Sequence, residues 1–242
     1  MTSITILQSA ADARPDWVSR CMRSVADWSQ RQGYGYHFIG DELFDWVTPE
    51  LRTKLQQRTP ILADLARLRW IESELKMRGG LTVWIDADTV IVDPTWRIPD
   101  STHTFFGEEC WVQPTAEGAW RAYQSPHNAF MGFTTESPVL GFLAYLSESI
   151  IERADVAHIA PQMVGPKLLK ALNNLAQFTL VPEAGAVSPE LLAEWMGDAG
   201  PAIACYEQAA RPSLALANLC STLTHSAAAV LRVEKFLTRH GA

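Results

Sequence analysis

Asp86 and Asp88 are the residues of this sequence best placed for chemistry, because two carboxylates directly follow a predicted buried strand. The continuous apolar run at residues 81–85 is typical of a strand buried on both faces. Side chains two residues apart at a strand end point to the same side, so both carboxylates can bind one hard cation. A Mg²⁺ or Mn²⁺ ion held this way keeps positions for phosphate oxygens and neutralises charge on a departing diphosphate. The spacing therefore predicts a metal site, and the alternative is a solvated turn after the strand.

Asp64 and Arg67 form a second pair that has two interpretations. They lie three residues apart near the start of a predicted helix over residues 60–77, so they share one face of it. The first interpretation is an exposed ion pair, worth a few tenths of a kcal/mol. In the second, Asp64 accepts a hydrogen bond from a ribose or sugar hydroxyl, while Arg67 binds phosphate or holds Asp64 in place.

The elements that must position these side chains alternate between strands and helices. The sequence predicts a strand that ends at Gln8 and Ser9, a helix that Gly33 stops, a second strand, the helix carrying Asp64, and the strand before Asp86. This alternation is the pattern of an α/β fold, with a central, mostly parallel sheet flanked by helices. Ligands of such sheets gather at the carboxyl ends of the strands, which places Gln8, Ser9 and the two aspartates along one edge.

Composition excludes several classes of protein. The 242 residues are 48% hydrophobic and 19% charged, which is incompatible with a disordered chain. A net charge of −7 without a basic block argues against binding of nucleic acid. The apolar runs are too short for a transmembrane segment, and the N-terminus lacks the features of a signal peptide. Four scattered cysteines are typical of reduced thiols, so we expect a cytoplasmic protein.

Five short segments, in this order, resemble the DXD glycosyltransferases of the GT-A fold. The similarity is to the sugar-binding-DXD branch, which includes mannosyltransferases, capsular-polysaccharide transferases and glucosylating toxins; residues 85–93 also resemble the glycogenin-like branch. The segments are residues 63–67, Gly79-Gly80, residues 83–88, residues 128–131 and Gly165-Pro166.

The resemblance implies a nucleotide-diphospho-sugar transferase-like domain over residues 1–242, with a nucleotide-binding half (1–95) and an acceptor and sugar half (96–242). It implies a hexosyl-type transfer with retention, in which Asp86, Asp88 and Asn128 are catalytic. The donor is a UDP- or GDP-linked sugar, and the acceptor is a glycan, a lipid-linked sugar or a protein.

The resemblance also assigns further residues to the site. The end of the first strand touches the nucleotide in this family, so Gln8 and Ser9 join Asp64 and Arg67 as donor-binding residues. Many members take a third metal ligand, often His, from near the C-terminus, and His225 is the candidate here. Trp111 and Trp120, in a stretch that reads as a loop, offer aromatic faces for a sugar ring.

Two other functions remain open. A metal-dependent nucleotidyltransferase or phosphohydrolase can use the same two aspartates, but we expect it to carry further carboxylates for a second metal or a Gly-rich phosphate loop. The other alternative is a non-catalytic module that binds sugar.

Overall fold

A computed structural model describes residues 3–99, 103–209 and 212–242 of the chain. Strands and helices alternate in the first half, and a long hairpin and five helices follow in the second. The strands are β1 Ile4–Ser9, β2 Gly35–Ile39, β3 Leu81–Ile85, β4 Thr89–Ile91, β5 Thr104–Pro114, β6 Trp120–Thr134, β7 Thr179–Val181, β8 Ala184–Ala186 and β9 Leu216–Asn218. The helices are α1 Asp16–Gln32, α2 Pro49–Leu55, α3 Thr59–Arg78, α4 Leu140–Arg153, α5 Pro166–Ala176, α6 Pro189–Trp195, α7 Ala202–Gln208 and α8 Ala227–Arg239.

The central sheet has the strand order β2-β1-β3-β6-β5-β7. β1 runs parallel to β2 and β3, and β7 runs parallel to β5, whereas β6 is antiparallel to both of its neighbours. Three of the five strand pairings are thus parallel, which confirms the predicted α/β fold with a mostly parallel central sheet flanked by helices. β1 and β3 are neighbours in this sheet, so their carboxyl ends bring Gln8 and Asp86 to the same edge.

Helix α3 is buried on more than one face, and this decides where the Asp64 and Arg67 pair lies. Pro60 lies in its first turn, where a missing N–H costs no hydrogen bond, and the helix ends at Gly79, whose φ is 65°. The helix packs between the sheet and α4, in a core cluster that includes Leu65 and Leu68. As a result Asp64 and Arg67 are only 7% and 8% exposed. The interpretation as an exposed ion pair is therefore wrong.

A second, smaller sheet joins the C-terminal part of the chain to the segment after Asp88. Its strand order is β4-β9-β8, with β4 and β9 antiparallel and Thr89 opposite Asn218. The strand that follows Asp88 directly, β4, thus belongs to this second sheet and not to the central one. Beside it lies a second core cluster, to which α1, α6 and α8 all contribute buried residues. We call it the C-terminal core cluster, because most of its residues come from the C-terminal half of the chain. Within the described residues, no helix has the length and apolar character to cross a membrane.

A substitution at Gly132 of β6 tests the packing at the centre of the sheet. A Cβ atom at this position would overlap the ring of Phe105, which is fully buried and stacks on Phe130 with ring centroids 5.5 Å apart. We expect Gly132→Ala to lower the free energy of unfolding by about 1–3 kcal/mol, the usual cost of overpacking. Urea denaturation followed by circular dichroism measures this change.

Gly35→Ala is the matched control, because the nearest atom to a Cβ on this strand glycine lies at 3.5 Å, an ordinary contact. It should change the free energy of unfolding by less than about 1 kcal/mol. Equal effects of the two substitutions would contradict the packing described for Gly132.

Candidate functional site

The guanidinium of Arg67 lies at the centre of a buried polar cluster at the carboxyl edge of the sheet. Its Nη1 donates hydrogen bonds to Oδ1 of Asp86 at 2.9 Å and to the carbonyl of Asn128 at 3.1 Å. Its Nη2 lies 3.1 Å from Oδ1 of Asp64, and the group stacks over the ring of Trp84, 5.0 Å from the centroid. One side chain from α3 thus ties the helix to the end of β3 and to the middle of β6.

Asp86 is held from several directions. The indole N–H of Trp84 donates to Oδ1 at 2.6 Å, the same oxygen that binds Arg67, while Gln8 Nε2 donates to the backbone carbonyl of Asp86 at 3.2 Å. The hydroxyl of Tyr36 in turn donates to Gln8 Oε1 at 2.9 Å. Both side-chain hydrogen bonds of Asp86 among the described residues end on Oδ1, so Oδ2 is the oxygen left for a cation.

Asp88 is held by the C-terminal part of the chain instead. Nδ2 of Asn218 donates to Oδ1 at 2.6 Å, and the backbone N–H of Ser221 donates to Oδ2 at 2.7 Å. Asn218 is 6% exposed and also donates to Oγ1 of Thr89 at 3.1 Å. Asn218 is not among the site residues predicted from the sequence. A single amide within the apolar stretch around β9 was the signal that would have pointed to it, because buried amides require partners.

Asn128 and Gly165 complete the surroundings of Asp64. Asn128 Nδ2 donates to Asp64 Oδ1 at 2.7 Å. A Cβ at Gly165 would lie 2.5 Å from Asp64 Oδ2 and 2.8 Å from Asn128 Nδ2, so only glycine allows α5 to begin this close. The Gly-Pro start of α5 therefore serves the close approach of this helix to the cluster.

The cluster holds more negative than positive charge. Burial raises the pKa of Asp64 to about 6, against the opposing charge of Arg67. Burial also raises the pKa of Asp86, again opposed by Arg67, and the nearby charge of Asp88 raises it further. A single guanidinium does not neutralise the buried carboxylate of Asp64, the partly buried one of Asp86 and that of Asp88 beside them. The site is therefore electrostatically suited to a cation.

The oxygen donors of Asp86 and Asp88 fit Mg²⁺ or Mn²⁺. These hard ions are commonly bound by one or two carboxylates and complete their octahedral shell with water and substrate phosphates. In the part of the chain that the structure describes, no group of three or more His, Cys, Asp and Glu side chains is close enough to hold a metal ion. A metal ion held by the two aspartates would therefore need further ligands, such as water and the phosphates of a substrate.

The structure does not form the predicted three-ligand set with His225. This histidine is exposed, in the segment just before α8, while Asp88 is bound by Asn218 and Ser221 earlier in the same segment. Ligation of the metal by His225 therefore stays a prediction.

Ser9 and Trp120 make their contacts outside the polar cluster around Arg67. Ser9 lies beside Gln8 at the end of β1, but its hydroxyl donates to the carbonyl of Gly40 at 3.1 Å. Residues 104–114 and 120–134, read partly as a loop, form the β5–β6 hairpin. Trp120 is half-buried and packs against the C-terminal core cluster, and its use as an aromatic face for a sugar stays a prediction. Trp111 lies at a half-exposed position of the same hairpin.

Comparison with known proteins supports the fold. No family model and no curated protein match the sequence. Among solved structures, the chain is similar to a glycosyltransferase involved in the glycosylation of the major capsid of PBCV-1, with a TM-score of 0.51. The match has 11% sequence identity and covers 98% of this chain and 99% of that one. The two proteins therefore share a fold over almost their whole lengths.

Arg67→Ala tests the role of the buried guanidinium. The substitution leaves buried carboxylates without their cation, and we expect a loss of about 3–5 kcal/mol in the free energy of unfolding at pH 7. Arg52→Ala is the control, because Arg52 pairs with Asp45 where both side chains are well exposed, at 38% and 70%. That variant should lose less than about 1 kcal/mol. Similar losses in the two variants, measured by chemical denaturation, would contradict the description of the cluster.

Asp64→Asn tests the raised pKa of this carboxyl. Between about pH 4 and pH 6 the folded protein keeps a proton on Asp64 that the unfolded chain has lost, so wild-type stability falls as the pH rises through this window. The asparagine variant lacks this effect. We therefore expect the wild type to lose about 3 kcal/mol relative to the variant between pH 4 and pH 7. A difference in unfolding free energy that stays constant across this range would show that the pKa of Asp64 is not raised.

Proposed function

We propose that this protein is a metal-dependent glycosyltransferase that moves a hexosyl group from a nucleotide-sugar donor to an acceptor hydroxyl. The observation that carries the proposal is the Asp86 and Asp88 pair, fixed at the carboxyl end of β3 beside a buried, negatively charged cluster. The fold shared with a glycosyltransferase supports it. The donor is a UDP- or GDP-linked sugar, as the sequence resemblance implies.

Asp86 and Asp88 would hold Mg²⁺ or Mn²⁺, which neutralises the negative charge of the leaving nucleoside diphosphate. In transfer, the acceptor oxygen forms a bond to the anomeric carbon while the bond from that carbon to the diphosphate oxygen breaks. The electron pair leaves with the nucleoside diphosphate, and the hydroxyl proton is released. Retention of configuration is part of the proposal and rests on the resemblance to the sugar-binding-DXD branch.

Other residues of the cluster position the donor. Gln8 and Ser9 lie at the end of β1, where the nucleotide of this fold type is expected. Asp64 accepts a hydrogen bond from a hydroxyl of ribose or of the donor sugar. Asn128, which donates a hydrogen bond to Asp64, orients the sugar. Fixed groups of this kind lower the barrier by holding the reactants in the reacting geometry.

Arg67 acts on these residues rather than on phosphate. Its Nη1 and Nη2 already contact Asp86, Asn128 and Asp64, and its Nε donates to the carbonyl of Ala63 at 3.3 Å. Of the two roles open from the sequence, this geometry supports the one in which Arg67 holds Asp64 in place. It is a positioning residue for both carboxylates.

Asp86→Asn and Asp88→Asn test the metal site. A thermal-shift screen of UDP- and GDP-sugars, with and without Mn²⁺, identifies the donor, since a ligand at 100 times its Kd stabilises the folded protein by about 2.7 kcal/mol. Each substitution should remove the Mn²⁺-dependent part of this stabilisation and the Mn²⁺-dependent release of nucleoside diphosphate. Circular dichroism checks that the variants are folded.

Asp27→Asn is the control, because Asp27 is an exposed carboxylate on α1. It should bind and hydrolyse the donor like the wild type. Donor binding by both site variants at wild-type strength would overturn the metal site. Donor binding without any hydrolysis or transfer would favour a non-catalytic sugar-binding module instead.

A further inference from the structure

The outer part of the β5–β6 hairpin is a two-stranded ribbon that extends past the central sheet. β3 pairs with β6 only at residues 130–134, and β7 pairs with β5 only at residues 105–107. Beyond a bulge after Phe106 and the last pair with β7, residues 108–114 pair with residues 120–126 alone in the described topology. In this ribbon each strand therefore has only the other as a neighbour in the sheet.

One face of the ribbon packs in part against the protein, and the other is more exposed. Val112 is fully buried, and Ala122 and Trp120 pack with it in the C-terminal core cluster. Since side chains alternate along a strand, the residues between them point the other way. These residues, which we call the hairpin strip, are half-exposed or exposed and lie in three cross-strand pairs: Glu109 with Ser125, Trp111 with Tyr123, and Gln113 with Arg121.

The side chains of the strip are already ordered by one another. Ser125 Oγ donates to Glu109 Oε1 at 2.8 Å, and the Trp111 indole N–H donates to Gln113 Oε1 at 3.0 Å. The Arg121 guanidinium lies over the Tyr123 ring, 5.6 Å from its centroid. An aromatic pair is thus flanked on both sides by fixed hydrogen-bonding groups. The strip is about 14 Å long, from the rise per residue of a strand.

The strip begins beside the candidate metal pair. The Cys220 thiol contacts Asn218, whose amide binds Asp88. Burial raises the pKa of this thiol, and the nearby charges of Asp88, Glu109 and Asp86 raise it further. The backbone agrees, because a Cβ on Gly185 of β8 would lie 3.9 Å from Glu109 Cα, and Gly185 pairs with Ala217 next to Asn218. The Glu109 end of the strip therefore lies close to the strand whose Asn218 binds Asp88.

We propose that the hairpin strip binds the acceptor, and that this acceptor is a glycan; this proposal rests on the proposed function. A sugar ring has apolar C–H faces and a rim of hydroxyl groups. The strip matches both, because aromatic faces pack on the apolar surface while carboxylate, amide and guanidinium groups bind hydroxyls. Glu109, at the end nearest to Asp86 and Asp88, binds a hydroxyl of the sugar that receives the transferred group.

Direct binding to glycans tests the strip without a donor. The wild-type protein is applied to a glycan microarray and to a panel of free disaccharides, and affinities for the bound glycans are measured by calorimetry. Trp111→Ala and Tyr123→Ala should each weaken binding by about tenfold, which corresponds to about 1.4 kcal/mol. Trp111→Phe, which keeps an aromatic ring, should retain most of the affinity.

Tyr145→Ala is the matched control, because Tyr145 is a 60% exposed tyrosine on α4. It should bind glycans like the wild type. If circular dichroism shows that Trp111→Ala is unfolded, Gln113→Ala, at an exposed position, replaces it and should also weaken binding. Absence of glycan binding by the wild type, or equal affinity of the strip variants and the control, would overturn the proposal and leave a surface for another partner or for solvent.

Transfer assays separate this inference from the proposed function. With the identified donor and Mn²⁺, the glycan that binds the strip should be glycosylated, and its KM should rise about tenfold in Tyr123→Ala. Failure of every UDP- and GDP-sugar to bind would refute the proposed function, while glycan binding that depends on the strip would still stand. Transfer to a glycan with an unchanged KM in Tyr123→Ala would place the acceptor elsewhere.

Discussion

A buried guanidinium shared between carboxylates is the constraint on which the rest of this structure depends. Taking Arg67, Asp64 and Asp86 out of water is costly, and their mutual attraction offsets that cost only if the geometry is kept. The geometry needs α3, β3 and β6 in fixed relative positions, since the three partners of Arg67 come from these elements. Gly165 then allows α5 to cover the cluster. The same arrangement leaves an excess of negative charge, which a divalent cation at the edge of the sheet would offset.

The two aspartates of the candidate metal pair are held by different parts of the chain. Asp86 depends on contacts from the first strands and α3, whereas Asp88 depends on Asn218 and Ser221 around the end of β9. The antiparallel pairing of β4 with β9 is what brings that distant segment back to the aspartates. The pair therefore takes its geometry from the folding of both halves together. In the proposed reaction, this rigidity aligns the donor diphosphate before an acceptor arrives.

The β5–β6 hairpin shows how one pair of strands contributes to both stability and recognition. Its inner residues complete the central sheet, and Gly132 and Phe105 pack there without free space. Side chains of its outer residues alternate between two faces, as in any strand. Val112 is therefore buried on one face, while Trp111 and Tyr123 lie on the other. Burial of the first face holds the second one in place, so the strip is ordered without a ligand. Preformed sites of this kind lose less conformational entropy on binding.

The sequence by itself determined the alternation of strands and helices in the first 90 residues, the ends of α1 and α3, and the location of Asp86 and Asp88 after a buried strand. These features depend on local signals: apolar periodicity, glycine at helix ends, and polar residues at strand ends. Tertiary structure alone decided that Arg67 is buried between two carboxylates, that Asn218 binds Asp88 across 130 residues, and that Trp111 and Trp120 point to opposite sides of a hairpin. Each of these depends on contacts between segments far apart in the chain or on the register of paired strands. Propensity and spacing within a single segment carry no information about either, because the partner that satisfies a buried polar group or covers one face of a strand is specified by packing.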